Sequence, residues 1–125
     1  LATWHAAAFC AALGGRKIIF VGDSSMMQAG AAVMNAVHWD SLGGGCYEQL
    51  DFGQSDTLIG TGLGMRNHGQ TWVEFANRTN AFAPGAGRPD IVVMSAGPHV
   101  KLLCDFEALL DRVVEEHRTL FPEVK

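Results

Sequence analysis

An apolar run that ends in Gly-Asp-Ser-Ser and continues into a helix-like segment is the feature that most constrains the fold of this chain. Residues 17–21 read Lys-Ile-Ile-Phe-Val, a β-branched and aromatic run that suits a buried parallel strand. After the turn at residues 22–25, apolar side chains over residues 25–39 follow an approximate helical stripe. A strand, a tight turn and a helix in this order indicate a parallel α/β sheet.

The rest of the chain continues this alternation of strands and helices. The further predicted elements are a helix at Trp4–Leu13, strands at Thr71–Phe75 and Ile91–Met94, and a long amphipathic helix over 106–121. Residues 40–70 are rich in glycine and receive no firm element. We expect the first strand to lie in the middle of the sheet. Because the carboxyl ends of parallel strands share one edge, Ser24 and Ser95 are expected to lie close together there.

Length and charge limit the kinds of protein this chain can be. Its 125 residues, 48% of them hydrophobic, suffice for one compact domain. The net charge of −4 and the scattered Lys and Arg residues argue against a nucleic-acid partner. No apolar run is long enough for a membrane helix, so any membrane anchor is expected outside this chain. The start at Leu1 and the strand-like end at Val124 predict that residues 1–125 are the N-terminal part of a single domain.

The three cysteines, Cys10, Cys46 and Cys104, are too widely spaced for a metal knuckle or a Cys-x-x-Cys redox pair. We expect them to be small buried apolar residues, with one disulfide and an odd thiol as the alternative. A glycosylation sequon at residues 77–79 has meaning only in a secretory compartment. We expect no cofactor and no metal: His38 and Asp40 form a pair without an evident third ligand.

The turn after the first strand carries the residues most suited to chemistry. A serine at a strand-to-helix turn exposes its hydroxyl beside backbone N–H groups that can stabilise an oxyanion, which makes Ser24 a candidate nucleophile. Gly22 suits the tight turn, and Asp23 can hold it through hydrogen bonds to the backbone. The plainer interpretation is a capped turn, in which Ser24 or Ser25 serves as the helix cap.

The segment "RKIIFVGDSSMMQ" resembles the first block of the GDSL/SGNH hydrolase superfamily, and more closely its PC-esterase branch. That branch includes trichome-birefringence-like polysaccharide O-acetyltransferases and sialate O-acetyltransferase-type proteins. "FCAALGGRKIIFVGDS" is similar to its lead-in helix and turn, "QTWVEFANRTNAF" to its second strand, and "DIVVMSAGPHV" to its third block. The resemblance implies a three-layer α/β/α, flavodoxin-like fold, of which this chain would hold an incomplete part.

The resemblance also implies roles for individual residues. Ser24 would be the nucleophile that takes the acyl group, and its N–H would help to form the oxyanion hole within the Gly22-Asp23 turn. A block-two glycine would be a second donor. The candidates for it, among which the sequence does not choose, are Gly60, Gly62 and Gly64. In the third block, the family's side-chain donor to the oxyanion is ordinarily an asparagine. Ser95 stands at that position here, where its hydroxyl can still donate but reaches less far, and Gly97 follows in the same block.

The superfamily's catalytic Asp-x-x-His block has no counterpart here, since no Asp precedes any histidine by three residues. A serine hydroxyl needs a base to become a good nucleophile. We therefore expect the base to lie beyond Lys125. His99, at the end of the third predicted strand, is the alternative base within the chain, although a role in substrate positioning or loop packing is expected for it first.

These features predict an enzyme, a serine-dependent acyl-ester hydrolase or O-acetyltransferase acting on carbohydrate hydroxyls. Its partners would be an acylated carbohydrate or an acyl donor, and its location the secretory pathway, in the Golgi or outside the cell. The alternative is a non-catalytic carbohydrate-binding or degenerate SGNH-like domain. Trp39, Tyr47 and Trp72 could stack on a sugar, although core packing is expected for at least two of them.

Overall fold

The computed structural model describes residues 4–40, 45–59, 71–74, 90–96, 100 and 103–120. Over these residues the chain is a mixed α/β structure built on a three-stranded parallel sheet. The elements are α1 (Ala6–Leu13), β1 (Ile18–Gly22), α2 (Ser24–Asp40), a 3-10 helix (Tyr47–Gln49), β2 (Leu50–Gln54), β3 (Ile91–Ser95) and α3 (Leu103–Leu120). A short helical turn at 72–74 adds to them.

The sheet has the strand order β2-β1-β3, and both pairings are parallel. The prediction that the first strand lies in the middle is confirmed. In the strand pairing, Gly22 of β1 is opposite Gln54 of β2 on one side and Ser95 of β3 on the other. All three strands therefore end at one edge, which we call the carboxyl edge.

Alternate residues of β1 enter two separate apolar clusters. Ile19 and Val21 pack in one cluster with Leu109 and Val113 of α3. Ile18 packs in the other, together with residues of α1, α2 and β2. Because successive side chains of a strand point to opposite faces of a sheet, the two clusters cover its two faces. This burial on both sides explains why β1 reads as a continuous apolar run.

Helix α2 approaches the sheet closely at Gly30. A Cβ atom placed on Gly30 would lie 2.9 Å from Cβ of Phe52 in β2 and 3.1 Å from Cβ of Phe20 in β1. Both distances are shorter than an ordinary contact between carbon atoms. The absence of a side chain at Gly30 therefore sets how near α2 can lie to the two strands.

The predicted strand at Thr71–Phe75 is wrong over its described residues, because residues 72–74 are helical. The Thr71 hydroxyl accepts a hydrogen bond from the Glu74 N–H (3.1 Å), and the Glu74 carboxylate accepts one from the Thr71 N–H (2.9 Å). This reciprocal pair is a capping box, which starts a helix. The alternation of side chains resembled a strand, but the local capping determines the structure here.

The second strand of the sheet is Leu50–Gln54, within the glycine-rich region that received no firm element. Leu50 is buried on one face of the sheet, in the cluster with Ile18 and Val37. The short length of the strand and its Gly53 hide the period-two pattern of a strand. Gly53 pairs with Val21 in the register. Pairing with the long apolar run of β1 therefore outweighs the weak strand propensity of these residues.

The predicted helices are present with shifted bounds. Helix α1 begins at Ala6 rather than Trp4, α2 extends by one residue at each end of 25–39, and α3 begins at Leu103 rather than residue 106. Gly14 ends α1 in the left-handed conformation (φ 61°), and its N–H donates to the carbonyl of Cys10. Among the described helices, none combines the length and apolarity needed to cross a membrane.

Cys10 and Cys46 form a disulfide with Cα atoms 5.4 Å apart, whereas Cys104 is an exposed free thiol. The expectation of three buried apolar cysteines is therefore wrong, and the alternative of one disulfide and an odd thiol is what the structure has. The bridge joins α1 to the segment before the 3-10 helix. The N–H of Ala6 donates to Asp40 Oδ2 (2.7 Å) and ties α1 to the end of α2 as well.

We expect Gly30→Ala to destabilise the protein. In an exposed helix the change from glycine to alanine is stabilising by about 1 kcal/mol. At Gly30 the added Cβ meets Phe20 and Phe52, and overpacking of this kind costs about 1–3 kcal/mol. The free energy of unfolding, measured with urea, should therefore fall by up to about 2 kcal/mol. The matched control is Ala29→Gly at the neighbouring exposed position, where alanine should be the better residue. A more stable Gly30→Ala variant would contradict the close approach.

Removal of the disulfide should lower stability substantially, since it closes a loop of 36 residues. On the chain-entropy estimate a loop of this length contributes about 4 kcal/mol to the free energy of unfolding. The double variant Cys10→Ser/Cys46→Ser should lose most of this amount in urea unfolding, and a reducing agent should lower the melting temperature of the unmodified protein. Cys104→Ser serves as the control and should change little. An unchanged melting temperature under reduction would show that the bridge does not form.

Candidate active site

Asp23 is fully buried at the carboxyl edge and caps helix α2. Its Oδ1 accepts hydrogen bonds from the N–H groups of Ser25 (2.8 Å) and Met26 (3.1 Å), and its backbone carbonyl accepts one from Met27 (2.9 Å). Aspartate is a favoured cap, and its negative charge is stabilised by the N-terminal end of the helix dipole. The prediction that Asp23 holds the turn is confirmed, and the cap is Asp23 rather than Ser24 or Ser25.

Ser24 is the first residue of α2, and it is exposed. The first N–H groups of an α-helix have no acceptor within the helix. The Asp23 side chain takes those of Ser25 and Met26 and does not take that of Ser24. The hydroxyl of Ser24 and its own N–H thus lie together at the exposed start of a 17-residue helix. This arrangement suits a nucleophile beside an oxyanion donor.

Gly22 ends β1 at a point where no side chain fits. A Cβ atom there would lie 2.5 Å from the carbonyl oxygen of Ser95 and 2.8 Å from Cβ of Met26. The sequence predicts Gly22 from the tightness of the turn. The physical reason is instead the close approach of two other elements, β3 on one side and the first turn of α2 on the other.

The structure brings Ser24 and Ser95 to the same edge. Ser95 stands opposite Gly22 in the register, and Ser24 follows Gly22 by two residues. Neighbouring strands are about 4.8 Å apart and two residues span at most about 7 Å, so their Cα atoms are within about 12 Å. Ser95 is half-buried.

Strand β2 is followed at this edge by three buried polar residues that were not among the predicted site residues. They are Ser55, Asp56 and Thr57, all at most 3% exposed. The N–H of Ser55 donates to the carbonyl of Gly22 (2.6 Å), and Gln54 Nε2 lies 3.4 Å from Asp56 Oδ1. The Ser55-Asp56-Thr57 segment therefore adjoins the Gly22-Asp23 turn. The signal that could have found it is its place directly after β2, which the glycine-rich composition concealed.

Asp23 and Ser55 each hold a polar atom that is buried without a visible partner. Within the described part of the chain, Asp23 Oδ2 and Ser55 Oγ have no hydrogen-bond partner. Such groups cost free energy, and each calls for a physical reason. A third one among the described residues, Gln49 Oε1, lies in the 3-10 helix before β2. Two of the three therefore lie beside Ser24 at the carboxyl edge.

The segment after Ser55 contains a strained turn. Leu58 has φ +63°, which is unusual for a residue other than glycine, and it is nevertheless 2% exposed in the apolar cluster of α3. The Ile59 N–H donates to the carbonyl of Thr57 (2.7 Å), and the Thr57 hydroxyl donates to the carbonyl of Ile59 (2.9 Å). The Trp72 N–H donates to the carbonyl of Leu58 (2.8 Å). Burial and these bonds together hold the strained backbone in place.

An apolar cavity of about 260 Å³ opens beside Ser95. Its lining residues are Leu58, Met94, Ser95, Ala96, Phe106, Leu110 and Val113. A second cavity, of about 340 Å³, lies by the last turns of α3 and is lined by Thr71, Val73, Glu115, Glu116 and Thr119. Only the first contains a residue of the predicted site.

The other predicted site residues cannot be placed in this geometry. The block-two candidates Gly60, Gly62 and Gly64, together with Gly97 and His99 from the third block, lie outside the described residues. The described histidines lie elsewhere. His38 is 14 residues along α2 from Ser24, about 21 Å at the helical rise, and His117 stacks on Trp72 near the end of α3. In the described ranges no three His, Cys, Asp or Glu side chains form a metal site.

Comparisons with protein-family models, with curated proteins and with solved structures found no match to this chain. The geometry of the carboxyl edge and the sequence pattern that leads to it are therefore the basis for the functional argument.

We expect Asp23→Ala to destabilise the protein by about 1–2 kcal/mol, because the start of α2 loses its cap. Urea unfolding followed by circular dichroism measures this change. Ser25→Ala is the matched control, since Ser25 is exposed and donates only its backbone N–H to the cap; its effect should be within about 0.5 kcal/mol. A larger loss in Ser25→Ala than in Asp23→Ala would make serine the cap and contradict the assignment.

Proposed function

We propose that this chain is part of an SGNH-like, serine-dependent acyl-ester hydrolase or O-acetyltransferase that acts on carbohydrate hydroxyls. The observation that carries the proposal is that the Ser24 hydroxyl is exposed and does not cap the helix. It is exposed at the start of α2, directly after the central strand, and the helix cap is made by Asp23 instead. The Ser24 hydroxyl is thus not used for the capping role that serines at helix starts usually have.

The proposed reaction has two steps. Ser24 Oγ attacks the carbonyl carbon of an acyl ester and loses its proton to a base, and the tetrahedral intermediate then releases the alcohol, which takes up that proton. An ester of Ser24 remains. Water or a sugar hydroxyl attacks this ester, loses its proton in the same way, and restores the free serine. The Ser24 N–H stabilises the oxyanion in both steps, as backbone donors at a helix start can.

Ser95 is the proposed side-chain donor to the oxyanion, in addition to the Ser24 N–H and a block-two glycine. Its half-buried position opposite Gly22, at the edge where Ser24 lies, supports this role. The buried residues Ser55 and Asp56 are proposed to support the turn rather than to contact the acyl group, since the Ser55 N–H donates to Gly22. One oxyanion donor is typically worth about 3–4 kcal/mol of transition-state stabilisation.

The finer fold assignment belongs to the same proposal. We infer a three-layer, flavodoxin-like arrangement from two observations. The strand order β2-β1-β3 matches the first three strands of the flavodoxin-like order, and an apolar cluster lies on each face of the sheet. In such sheets, ligands bind outside the carboxyl ends of the strands, which is where Ser24 is.

We do not propose a described histidine as the base, because His38 and His117 lie near the C-terminal ends of α2 and α3. The base is proposed to be either a residue from beyond Lys125 or His99. Secretory location is proposed as well, and the Cys10–Cys46 disulfide supports it, because disulfides persist in oxidising compartments.

A non-catalytic carbohydrate-binding domain is the second candidate function. It is favoured by one observation, the 78% exposure of Trp39, which leaves a large aromatic side chain on the surface. The enzyme requires the Ser24 hydroxyl as its nucleophile, whereas a carbohydrate-binding domain does not.

We expect Ser24→Ala, made in a protein whose chain continues beyond Lys125, to abolish hydrolysis of p-nitrophenyl acetate and transfer of its acetyl group to a neutral oligosaccharide. The loss should reach the uncatalysed rate, because the acyl group has no other acceptor in the mechanism. The fold should remain intact, since the exposed hydroxyl is not part of the cap. Initial rates and a thermal melt measure both properties. Ser25→Ala, with its exposed hydroxyl one residue further, is the control and should keep most of the activity.

Retained turnover in Ser24→Ala would contradict the proposed nucleophile. If the protein that continues beyond Lys125 binds oligosaccharides and has no turnover, the result would support the second candidate instead. Where turnover is present, His99→Ala separates the two options for the base: loss of about 10²–10⁴-fold identifies His99 as the base, and a smaller effect places the base elsewhere.

A further inference from the structure

Strand β2 ends at the carboxyl edge in Gln54, an exposed amide that has no part in the proposed acyl transfer. Its Nε2 lies 3.4 Å from Oδ1 of the buried Asp56. A carboxylate offers acceptors only, so this contact turns the nitrogen of the amide toward Asp56. Among the described residues, Oε1 and the second hydrogen of Nε2 have no partner, and both are available to a ligand.

Helix α2 and strand β1 keep a constant offset where they pack. A Cβ atom on Gly30 would lie 3.1 Å from Cβ of Phe20. One on Gly22 would lie 2.8 Å from Cβ of Met26. Four residues back along the helix therefore match two residues forward along the strand. Rises of about 1.5 Å per helical residue and about 3.3 Å per strand residue give this offset.

The same offset places Gln54 level with the first turn of α2. Gly30 also meets β2, since its added Cβ atom would lie 2.9 Å from Cβ of Phe52. Strands β1 and β2 are parallel and paired residue by residue, so the offset applies to both. Gln54 follows Phe52 by two residues and is therefore level with Met26, which lies two residues after Ser24.

Ser24 is turned toward the β2 side of α2. Successive residues of an α-helix advance by about 100° around its axis. Relative to Gly30, which lies between the two strands, Met26 is turned by about 40° toward β1, where it meets Gly22. Ser24 is turned by about 120° in the opposite direction. Gln54, on β2, is therefore on the side of the helix to which Ser24 turns.

The distance between Ser24 and Gln54 suits a substrate that contacts both. Gln54 pairs with Gly22, so its Cα atom is within about 12 Å of that of Ser24. With the two side chains extended toward each other, about 5 Å remains between the amide and the hydroxyl at this limit. In a sugar ester, the carbonyl carbon and the oxygen of the neighbouring hydroxyl are four bonds apart, about 4–5 Å.

The available groups of Gln54 favour a hydroxyl over the oxyanion as their ligand. A hydroxyl both donates and accepts, so it can use Oε1 as well as the N–H. An oxyanion only accepts, and the Asp56 carboxylate 3.4 Å from Nε2 disfavours a further negative charge there. The ester carbonyl itself leaves Oε1 unused.

We propose that Gln54, oriented by Asp56, binds the hydroxyl next to the ester of a carbohydrate substrate while Ser24 attacks the ester carbonyl. This inference rests on the proposed function, and it names the residue that recognises the sugar part of the substrate. A site that hydrogen-bonds a substrate hydroxyl discriminates against an analogue without it.

The test compares three kinds of acetate ester, with the protein chain continued beyond Lys125. The first is a methyl glycoside of glucose, galactose or mannose with one acetyl group and free hydroxyls. The second is the same compound with those hydroxyls methylated, and the third is p-nitrophenyl acetate, which has no hydroxyl. Initial rates over a range of concentrations give kcat and KM for each.

We expect Gln54→Met, which keeps the length of the side chain and removes the amide, to act selectively. It should lower kcat/KM for the best free-hydroxyl ester about tenfold more than for the other two, as loss of one or two neutral hydrogen bonds does. The unmodified protein should prefer the free-hydroxyl ester to its methylated analogue, and the variant should lose that preference. A thermal melt confirms that the variant is folded.

Gln28→Met is the matched control, because it makes the same change at an exposed glutamine one turn further along α2. It should keep the preference. The proposal is overturned if Gln54→Met keeps the preference as well, if it loses activity equally on all three esters, or if no sugar acetate is a substrate. Ser24→Ala separates this result from the proposed nucleophile: retained turnover there contradicts Ser24, whatever the preference of the Gln54 variant.

Discussion

The close contact between Gly22 and the carbonyl of Ser95 is the constraint on which the carboxyl edge depends. With no side chain at Gly22, β3 and the first turn of α2 can both approach the end of β1. The same turn is held from the third side, where Ser55 donates to the carbonyl of Gly22. Strand β3, the first turn of α2 and the segment after β2 thus all contact Gly22. These contacts determine the direction in which α2 leaves the sheet.

Asp23 determines which groups this turn exposes. Its side chain satisfies the second and third N–H groups of α2, so that Ser24 keeps both its hydroxyl and its own N–H at the exposed start of the helix. A serine cap would have used the hydroxyl for the helix. The arrangement keeps a buried carboxylate and the buried Ser55 hydroxyl at the edge, at a cost in stability.

Local pattern predicted the elements with strong periodicity. The apolar run of β1, the turn with Asp23, the run of β3 and the amphipathic α3 could all be read from sequence, because each is specified by its own residues. The helical turn at 72–74 and β2 were missed for different reasons. The capping box between Thr71 and Glu74 is a local signal, readable as Thr-x-x-Glu, that overrides the strand-like alternation. Strand β2 is specified by pairing with β1 rather than by its own residues.

Only part of the candidate site could be predicted from the sequence. Ser24 follows β1 and Ser95 ends β3, and both strands are clear apolar runs, so their common edge could be inferred. Ser55, Asp56 and Thr57 follow a strand that was not predicted, and their place at the edge depends on that pairing. The disulfide was equally hidden, because the nearness of Cys10 and Cys46 results from the docking of α1 onto α2 and not from their spacing in the chain.

The central claim is that Ser24 is the residue that this edge presents for covalent chemistry. Treatment of the protein, with its chain continued beyond Lys125, with a fluorophosphonate, followed by digestion and mass spectrometry, tests it directly. The account predicts one phosphonyl group, attached to the oxygen of Ser24 and absent from Ser24→Ala. An adduct on Ser25 or Ser95, or the same labelling in Ser24→Ala, would contradict it.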